Sequence, residues 1–211
     1  MDKPVNKKPK LKKQEILPKR VGGIYEKIYE YENIKTAIKA VCSSPNATKS
    51  KKNEKTNAKQ QKEKYLGDID KYTKIIQALL IEGRYKPRKL RRKEIYDGVR
   101  HKKRMIAKPC MIDKIVQRAV LQIIEPILTR RMYMYSCASI KGKGGTYCKR
   151  KIERAIARKN RKGKTYKNVK HTKYWEALDI KKCYDNILHC FLKFRLIKMF
   201  KDKRLLELLF M

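Results

Sequence analysis

The sequence predicts an α+β protein that is mostly helical and contains a basic β-hairpin and one buried strand. Helices are indicated by several segments in which apolar residues recur every three or four positions. Two short segments around an Asp-Gly pair indicate the hairpin, and the stretch YWEALDI indicates the strand. With 211 residues, of which 41% are hydrophobic, the chain can bury a core.

The chain is strongly basic. Lys and Arg number 58 against 20 Asp and Glu, which gives a formal net charge of +38. Such a charge opposes compaction unless a polyanion offsets it, so nucleic acid is the natural partner. An AT-rich coding bias is an alternative source of part of this charge. No apolar run approaches the length of about 18 residues that a membrane span needs, so we expect no membrane partner and no signal peptide.

The six cysteines include no C-x-x-C pair, and the three histidines do not cluster with them. This spacing does not favour a zinc site. We interpret the cysteines as reduced thiols of a cytoplasmic protein.

Residues 1–20 are predicted to be a disordered basic arm. Ile24–Val41 has the spacing of an amphipathic helix that ends near Ser43. A low-complexity linker is predicted over Lys49–Lys64, which contains no apolar residue beyond one alanine and therefore must stay exposed. The helix and the linker make up the predicted N-terminal region, residues 21–64.

A second helix and the hairpin come next. Apolar residues keep helical spacing from Ile69 to Leu80, and Gly83 supplies a stop signal. Asp97 and Gly98 suit a tight turn between the two short segments of a hairpin, because glycine tolerates positive φ. Many residues on either side of this turn are basic, which predicts a charged finger rather than a core element.

A long helix is predicted from Met111 to Leu128, where apolar residues come in pairs four positions apart. The glycine-rich loop Ser139–Cys148 then opens onto a basic helix that begins at Lys149. The backbone N–H groups of this loop could cradle phosphate at the helix start, or the loop could be an ordinary flexible connection.

The stretch YWEALDI is predicted to be a buried strand with Asp179 at its end. A carboxylate in that position costs desolvation energy unless it is paired or binds a metal. The neighbouring Lys181 and Lys182 could neutralise it equally well. Asp185 is predicted to be the N-cap of the next helix, which begins at Ile187.

Two ordered motifs resemble the reverse transcriptases of group II introns, retroelements and phages, over roughly residues 65–211. The stretch ALDIKKCYDNI resembles the first palm motif of that family, in which an Asp at a strand end is followed five residues later by an aromatic. The stretch KKRMIAKPCMIDKIVQRAV resembles the block that precedes this motif. The resemblance implies a right-hand polymerase, with residues 65–173 as fingers and residues 174–211 as the truncated start of the palm.

The resemblance also implies roles for residues of the palm motif. Asp179 would be one of three carboxylates that hold two Mg²⁺ ions, with the Ile180 carbonyl as a further ligand. Tyr184 would pack under the incoming sugar and exclude a 2′-hydroxyl.

In the hairpin, the resemblance implies that Lys102 and Arg104 grip the nucleotide triphosphate, with Arg92 on the opposite strand as a further candidate. The implied partners are an RNA template, a DNA primer and deoxynucleoside triphosphates.

The remaining catalytic aspartates of the family lie side by side in a Tyr-x-Asp-Asp motif, and this sequence contains no adjacent pair of aspartates. It ends in KDKRLLELLFM, which has the spacing of an amphipathic helix. We therefore expect an inactive N-terminal portion of an RNA-directed DNA polymerase, either a truncated copy or a piece completed by a C-terminal half. The alternatives are a non-catalytic basic RNA-binding protein derived from a polymerase, and a ribosomal-type basic protein.

Overall fold

The computed structural model describes residues 20–43, 52–97, 102–133, 136–138, 140–156, 176–181, 183–184 and 186–211. These residues form an α+β structure, as predicted. Its helices are α1 (Tyr25–Tyr29), α2 (Tyr31–Ser43), α3 (Lys52–Gly67), α4 (Ile69–Ile81), α5 (Met111–Arg131), α6 (Gly145–Ile156), α7 (His189–Met199) and α8 (Lys203–Phe210). Its strands are β1 (Arg91–Asp97) and β2 (Lys102–Lys108). The chain divides into two units, Met1–Glu125 with Cys190–Met211, and Pro126–His189.

The single helix predicted over Ile24–Val41 is instead two helices, α1 and α2. They meet at Glu30, whose φ of −52° and ψ of 136° take the backbone out of the helical region. Ile28 and Ile34 are fully buried on either side of this break. Apolar spacing continues through both helices, so the sequence pattern does not reveal an interruption of one residue. The predicted end near Ser43 is confirmed.

The segment predicted to be a low-complexity linker is largely helical. α3 adjoins α2 and α4 in the first unit. Lys, Glu and Gln are good helix formers, and an ion pair between Lys59 and Glu63, 3.7 Å apart across one turn, favours the helix further. Most side chains described between 59 and 64 are exposed, as the composition predicts. Exposure excludes these side chains from the core but does not prevent helix formation.

α4 is stopped by a glycine, as predicted. Gly83 has a φ of +69°, a left-handed conformation that glycine adopts without strain. The backbone N–H groups of Gly83 and Arg84 donate to the carbonyls of Leu80 and Leu79, at 3.3 and 3.0 Å. This turn ends the helix and begins the segment that leads to the hairpin.

Two segments far apart in the sequence meet beside α1. Val21 pairs in parallel with Phe200, which is fully buried, and the Arg20 guanidinium donates to the Phe200 carbonyl at 2.8 Å. The Asp202 carboxylate accepts three backbone N–H groups at the start of α1, at 2.8, 2.7 and 3.0 Å. The first unit is therefore closed by its own C-terminal segment.

The predicted hairpin is present as an antiparallel pair in which Asp97 lies opposite Lys102. The connection 98–101, where the tight turn is predicted, lies outside the described residues. The long helix predicted from Met111 is confirmed as α5. Its buried apolar side chains lie on one stripe and are Ile115, Val116, Ala119, Val120 and Ile124.

In the second unit, residues 140–156 describe most of the predicted loop and the first part of the predicted basic helix. Gly142 has a φ of +79°, which favours glycine there. α6 begins at Gly145, four residues before the predicted start at Lys149. Glycine is a poor helix former, so the loop composition conceals where the helix begins.

The predicted amphipathic helix at the C-terminus is α8, in which Leu205 is fully buried. None of the helices in the described ranges is long and apolar enough to cross a membrane. Residues 1–19, most of the predicted disordered arm, lie outside the described residues.

Candidate nucleic-acid interface

The hairpin presents two faces of different charge. In its antiparallel register Arg91 lies opposite Lys108 and Tyr96 lies opposite Lys103, and directly opposed residues share a face. One face, here named the cationic face, carries positions 91, 93, 95, 97, 102, 104, 106 and 108. The other, named the mixed face, carries positions 92, 94, 96, 103, 105 and 107.

The cationic face concentrates the positive charge of the hairpin. It has five basic positions and one acidic position, a formal charge of +4, whereas the mixed face has two basic and one acidic, a formal charge of +1. On the mixed face the Lys103 ammonium lies 3.6 Å from the Glu94 carboxylate. A polyanion would therefore gain more by contacting the cationic face, where more phosphates can be neutralised.

The register brings together two of the three residues predicted to grip a triphosphate. Lys102 and Arg104 are two positions apart on β2, so the alternation of a strand assigns both positions to the cationic face. Arg92 is exposed on the mixed face. The register therefore places positions 102 and 104 on one face of the hairpin and Arg92 on the other.

A buried carboxylate ties the segment that enters the hairpin to α5. Asp113 is 2% exposed and accepts the Tyr85 hydroxyl at 2.9 Å and the Arg88 backbone N–H at 3.2 Å. Burial, and then the hydrogen bond to Asp113, raise the pKa of Tyr85 well above its ordinary value, so the hydroxyl stays protonated. This contact was not predicted. The one local signal for it is an aspartate within the apolar stripe of α5.

The prediction of a buried strand that ends at Asp179 is wrong for the described residues 176–180. These residues have no regular secondary structure, and Leu178 and Ile180 are 84% and 69% exposed. A strand needs a neighbour to satisfy its backbone N–H and C=O groups, and the described part of the chain contains no sheet besides the hairpin. Asp179 is exposed, so burial does not require a partner for its carboxylate.

The helix cap predicted at Asp185 is not supported either. Asp185 lies outside the described residues, but α7 begins at His189, so position 185 is not adjacent to the start of the helix. Asn186 instead belongs to a turn. Its backbone N–H donates to the Cys183 carbonyl at 3.3 Å, and its side-chain amide donates to the Lys181 carbonyl at 3.0 Å.

The described residues do not assemble a metal site around Asp179. No group of three or more His, Cys, Asp or Glu side chains comes together in the part of the chain that the structure describes. Two Mg²⁺ ions need several converging oxygen ligands from different groups, and Asp179 with the Ile180 carbonyl would supply one carboxylate and one carbonyl oxygen. Tyr184, expected beneath the incoming sugar, is 88% exposed. The described arrangement therefore does not fit the two-metal site that the resemblance implies.

A second concentration of basic side chains lies in α6 and the loop before it. Four of the twelve residues of α6 are Lys or Arg, against one Glu. The ammonium groups of Lys143 and Lys151 lie 5.8 and 5.5 Å from the centroid of the Tyr147 ring. The second unit thus offers a basic surface of its own. Phosphate binding by the backbone of the glycine-rich loop stays a prediction.

No protein-family model and no curated protein matches this sequence. The features that bear on function are therefore the charge and register of the hairpin and the two sequence motifs. The hairpin lies in the first unit, and Asp179, Ile180 and Tyr184 lie in the second.

Proposed function

We propose that this chain is the fingers and first part of the palm of an RNA-directed DNA polymerase. In this proposal the cationic face of the hairpin contacts the phosphates of the RNA template, the DNA primer and the incoming deoxynucleoside triphosphate. The observation that carries the proposal is the register of the hairpin. It groups positions 102 and 104, which the motif associates with the triphosphate, on the face with the larger positive charge.

The hydrogen bonds that Asp113 accepts from Tyr85 and Arg88, here named the anchor, support the same function. A charged two-stranded ribbon is marginal in water by itself, and contact with phosphate requires that it be held in place. Asp113 holds the entering segment through Tyr85 and Arg88. Because the carboxylate is buried on α5, these bonds fix the base of the hairpin, while most of the described side chains of β1 and β2 are exposed.

Asp179 and the Ile180 carbonyl are the Mg²⁺ ligands that this proposal assigns to the chain. They would join further oxygen donors in a complete metal site. Their exposure is compatible with donors that approach from outside the described residues. The charge of the chain favours nucleic acid binding whether or not such donors are supplied.

A second candidate function is that of a basic RNA-binding protein without catalysis. The observation that favours it is the exposed Asp179 carboxylate, which no group of metal-ligating side chains accompanies in the described residues. This candidate also predicts RNA binding by the hairpin. The two functions differ in whether the chain can take part in primer extension.

Paired substitutions on the two faces test the hairpin interface. Arg91→Ala with Lys108→Ala removes two charges from the cationic face, and Arg92→Ala with Lys103→Ala removes two from the mixed face. We expect the first pair to lower affinity for a primed RNA template and to reduce the slope of log affinity against log salt by about 2. The second pair should change this slope by less than about 1. Fluorescence anisotropy over a salt titration measures both.

The mixed-face pair is the matched control, because it removes the same formal charge from the same hairpin. Equal losses for both pairs would mean that only total charge matters, and the proposed face would be rejected. Circular dichroism of both variants checks that the helices are retained.

A further inference from the structure

The mixed face of the hairpin exposes an aromatic ring and a thioether. Tyr96 is 59% exposed and Met105 is 67% exposed. Tyr96 lies opposite Lys103 and Met105 lies opposite Glu94, so the register assigns both to this face. A tyrosine ring combines a flat apolar surface with a polar hydroxyl, and such rings are enriched at binding surfaces. The face with the smaller positive charge thus offers a different kind of contact.

The charges around Tyr96 indicate the class of partner. The one carboxylate of the mixed face, Glu94, is paired with the Lys103 ammonium at 3.6 Å, and Arg92 is exposed on the same face. Both faces of the hairpin carry net positive charge. The partner that complements this surface is a polyanion with flat apolar groups. A nucleic acid strand has both, in its phosphates and its bases.

The thinness of the hairpin lets one nucleic acid strand contact both faces. Neighbouring strands of a sheet are about 4.8 Å apart, and within the described residues no third strand pairs with either edge of the hairpin. Tyr96 is next to Asp97, where β1 ends. A nucleic acid strand that contacts the cationic face through its phosphates can therefore cross an edge near the end of the hairpin and place a base against Tyr96.

We propose that Tyr96 stacks on an unpaired base of the bound nucleic acid. Met105 is diagonally across the hairpin from Tyr96, less than about 8 Å away between Cβ atoms, and its flexible side chain contacts the same base. Stacking needs a free base face, which single-stranded segments offer, whereas the bases of a duplex are already stacked on their neighbours. This inference rests on the proposed contact of the hairpin with nucleic acid, and it adds that the hairpin selects single-stranded segments.

The dependence of binding on salt distinguishes stacking from phosphate contact. Stacking on an uncharged ring releases no counterions, so it does not contribute to the slope of log affinity against log salt. We expect Tyr96→Ala to lower the affinity of the full chain for an unstructured single-stranded RNA at least about fivefold, while this slope stays unchanged. Tyr96→Phe keeps the ring and should retain wild-type affinity. Fluorescence anisotropy over a salt titration measures each value, and unchanged affinity in Tyr96→Ala would overturn the proposal.

Two further RNA probes separate this inference from the proposed function. An abasic strand of the same length has the phosphates without the bases, and an RNA duplex has bases that are already stacked. Wild type and Tyr96→Ala should bind each of these probes equally, whereas Arg91→Ala with Lys108→Ala should weaken the binding of both. If that pair has no effect, the cationic face is rejected, while the comparison at Tyr96 still decides on stacking. Equal losses in Tyr96→Ala for the single-stranded RNA and the abasic strand would reject stacking.

A control variant and a measurement on the wild type complete the test. Tyr133, in the second unit, is 65% exposed, so Tyr133→Ala removes a comparable ring and should leave the affinity for single-stranded RNA unchanged. An equal loss in this variant would overturn the proposal. RNA that carries iodouridine cross-links under ultraviolet light to aromatic side chains stacked on it, and peptide mapping by mass spectrometry locates the linkage. We expect Tyr96 of the wild type as the main cross-linked residue, and a dominant cross-link elsewhere with none at Tyr96 would contradict the proposal.

Discussion

Asp202 makes contacts that span most of the length of the sequence. Its carboxylate accepts the N–H groups of Gly23, Ile24 and Tyr25, which lie 177 to 179 positions earlier. These groups are among the donors that a helix start leaves without an intrahelical partner. A side chain near the C-terminus thereby caps the first helix of the described chain.

Removal of this cap should destabilise the first unit. We expect Asp202→Ala to lower the free energy of unfolding by about 1–2 kcal/mol, as for other lost helix caps. Asp202→Asn keeps an oxygen acceptor and should cost only about 0.5 kcal/mol. Urea denaturation followed by circular dichroism measures both. An Asp202→Ala variant as stable as the wild type would show that the three N–H groups find equivalent partners in water.

The Asp202 carboxylate makes the stability of the first unit depend on pH. Burial acts to raise the pKa of Asp202, but the three backbone N–H groups act against it, and the net pKa lies below the ordinary value. A lowered pKa stabilises the folded state above the unfolded-state pKa of about 3.9, and this contribution is lost as pH falls through the folded-state pKa. The stability difference between wild type and Asp202→Ala should therefore shrink below about pH 4. A difference that stays constant down to about pH 2 would contradict this linkage.

Structural roles that depend on the local sequence were predictable, whereas contacts with partners far away in the sequence were not. Gly83 was predicted as a helix stop because the stop depends on its own φ, which is +69°. Asp113 and Asp202 gave no comparable signal. Tyr85 is 28 positions from Asp113, and Asp202 is separated from α1 by most of the chain. A sequence pattern does not state which distant groups a carboxylate will meet.

At the scale of elements, the hairpin depends on its anchor as much as on its own pairing. Tyr85 is buried, and its hydroxyl donates to a carboxylate that is also buried. The segment between this anchor and β1 carries exposed basic residues. Loss of the anchor should therefore loosen the base of the hairpin before it affects the helices.

Substitutions at the anchor test this dependence. Tyr85→Phe should lower the free energy of unfolding by about 1 kcal/mol, and Asp113→Ala by about 2–3 kcal/mol because it leaves a buried hydroxyl without an acceptor. A double-mutant cycle should give a coupling energy of about 1 kcal/mol. Tyr184→Phe, at a residue that is 88% exposed, is the control and should be neutral. Strictly additive losses would show that the hydroxyl and the carboxylate do not stabilise each other.

Elements with periodic apolar residues were predictable, whereas the strand predicted over 174–180 is not present in its described residues, 176–180. The pairs of apolar residues from Met111 onward define one buried stripe whatever lies opposite, and α5 is present as predicted. A strand depends on a neighbour that its own sequence does not name. Leu178 and Ile180 are apolar enough for a sheet interior, yet both are largely exposed in the structure.

At the scale of the whole molecule, a large positive charge coexists with a closed helical unit. The net charge of +38 opposes compaction, but the first unit buries Phe200 and Leu205 of its C-terminal segment completely. The Arg204 guanidinium donates to the carbonyl of Leu80 at 3.1 Å, which joins this segment to the end of α4. These contacts hold the first unit together at its C-terminal end, while much of the hairpin's charge is exposed.

The chain as a whole is not expected to catalyse nucleotidyl transfer by itself. Two-metal nucleotidyl transfer needs several carboxylate oxygens around ions about 4 Å apart, and the described residues bring no such group together. We therefore expect the 211-residue chain to bind a primed RNA template in low salt but to show no primer extension with Mg²⁺ and deoxynucleoside triphosphates. A supplied polymerase half that carries an Asp-Asp motif should restore extension, and Asp179→Ala should abolish the restored activity without weakening template binding.

The control for this assay is Asp70→Ala, which removes an exposed carboxylate from α4 and should leave restored extension unchanged. Failure of the supplied half to restore extension, with template binding intact, would favour the non-catalytic RNA-binding function. Extension by the chain alone that disappears in Asp179→Ala would contradict the expectation directly. It would mean that donors outside the described residues complete the metal site within this chain, because one carboxylate and one carbonyl do not hold two ions.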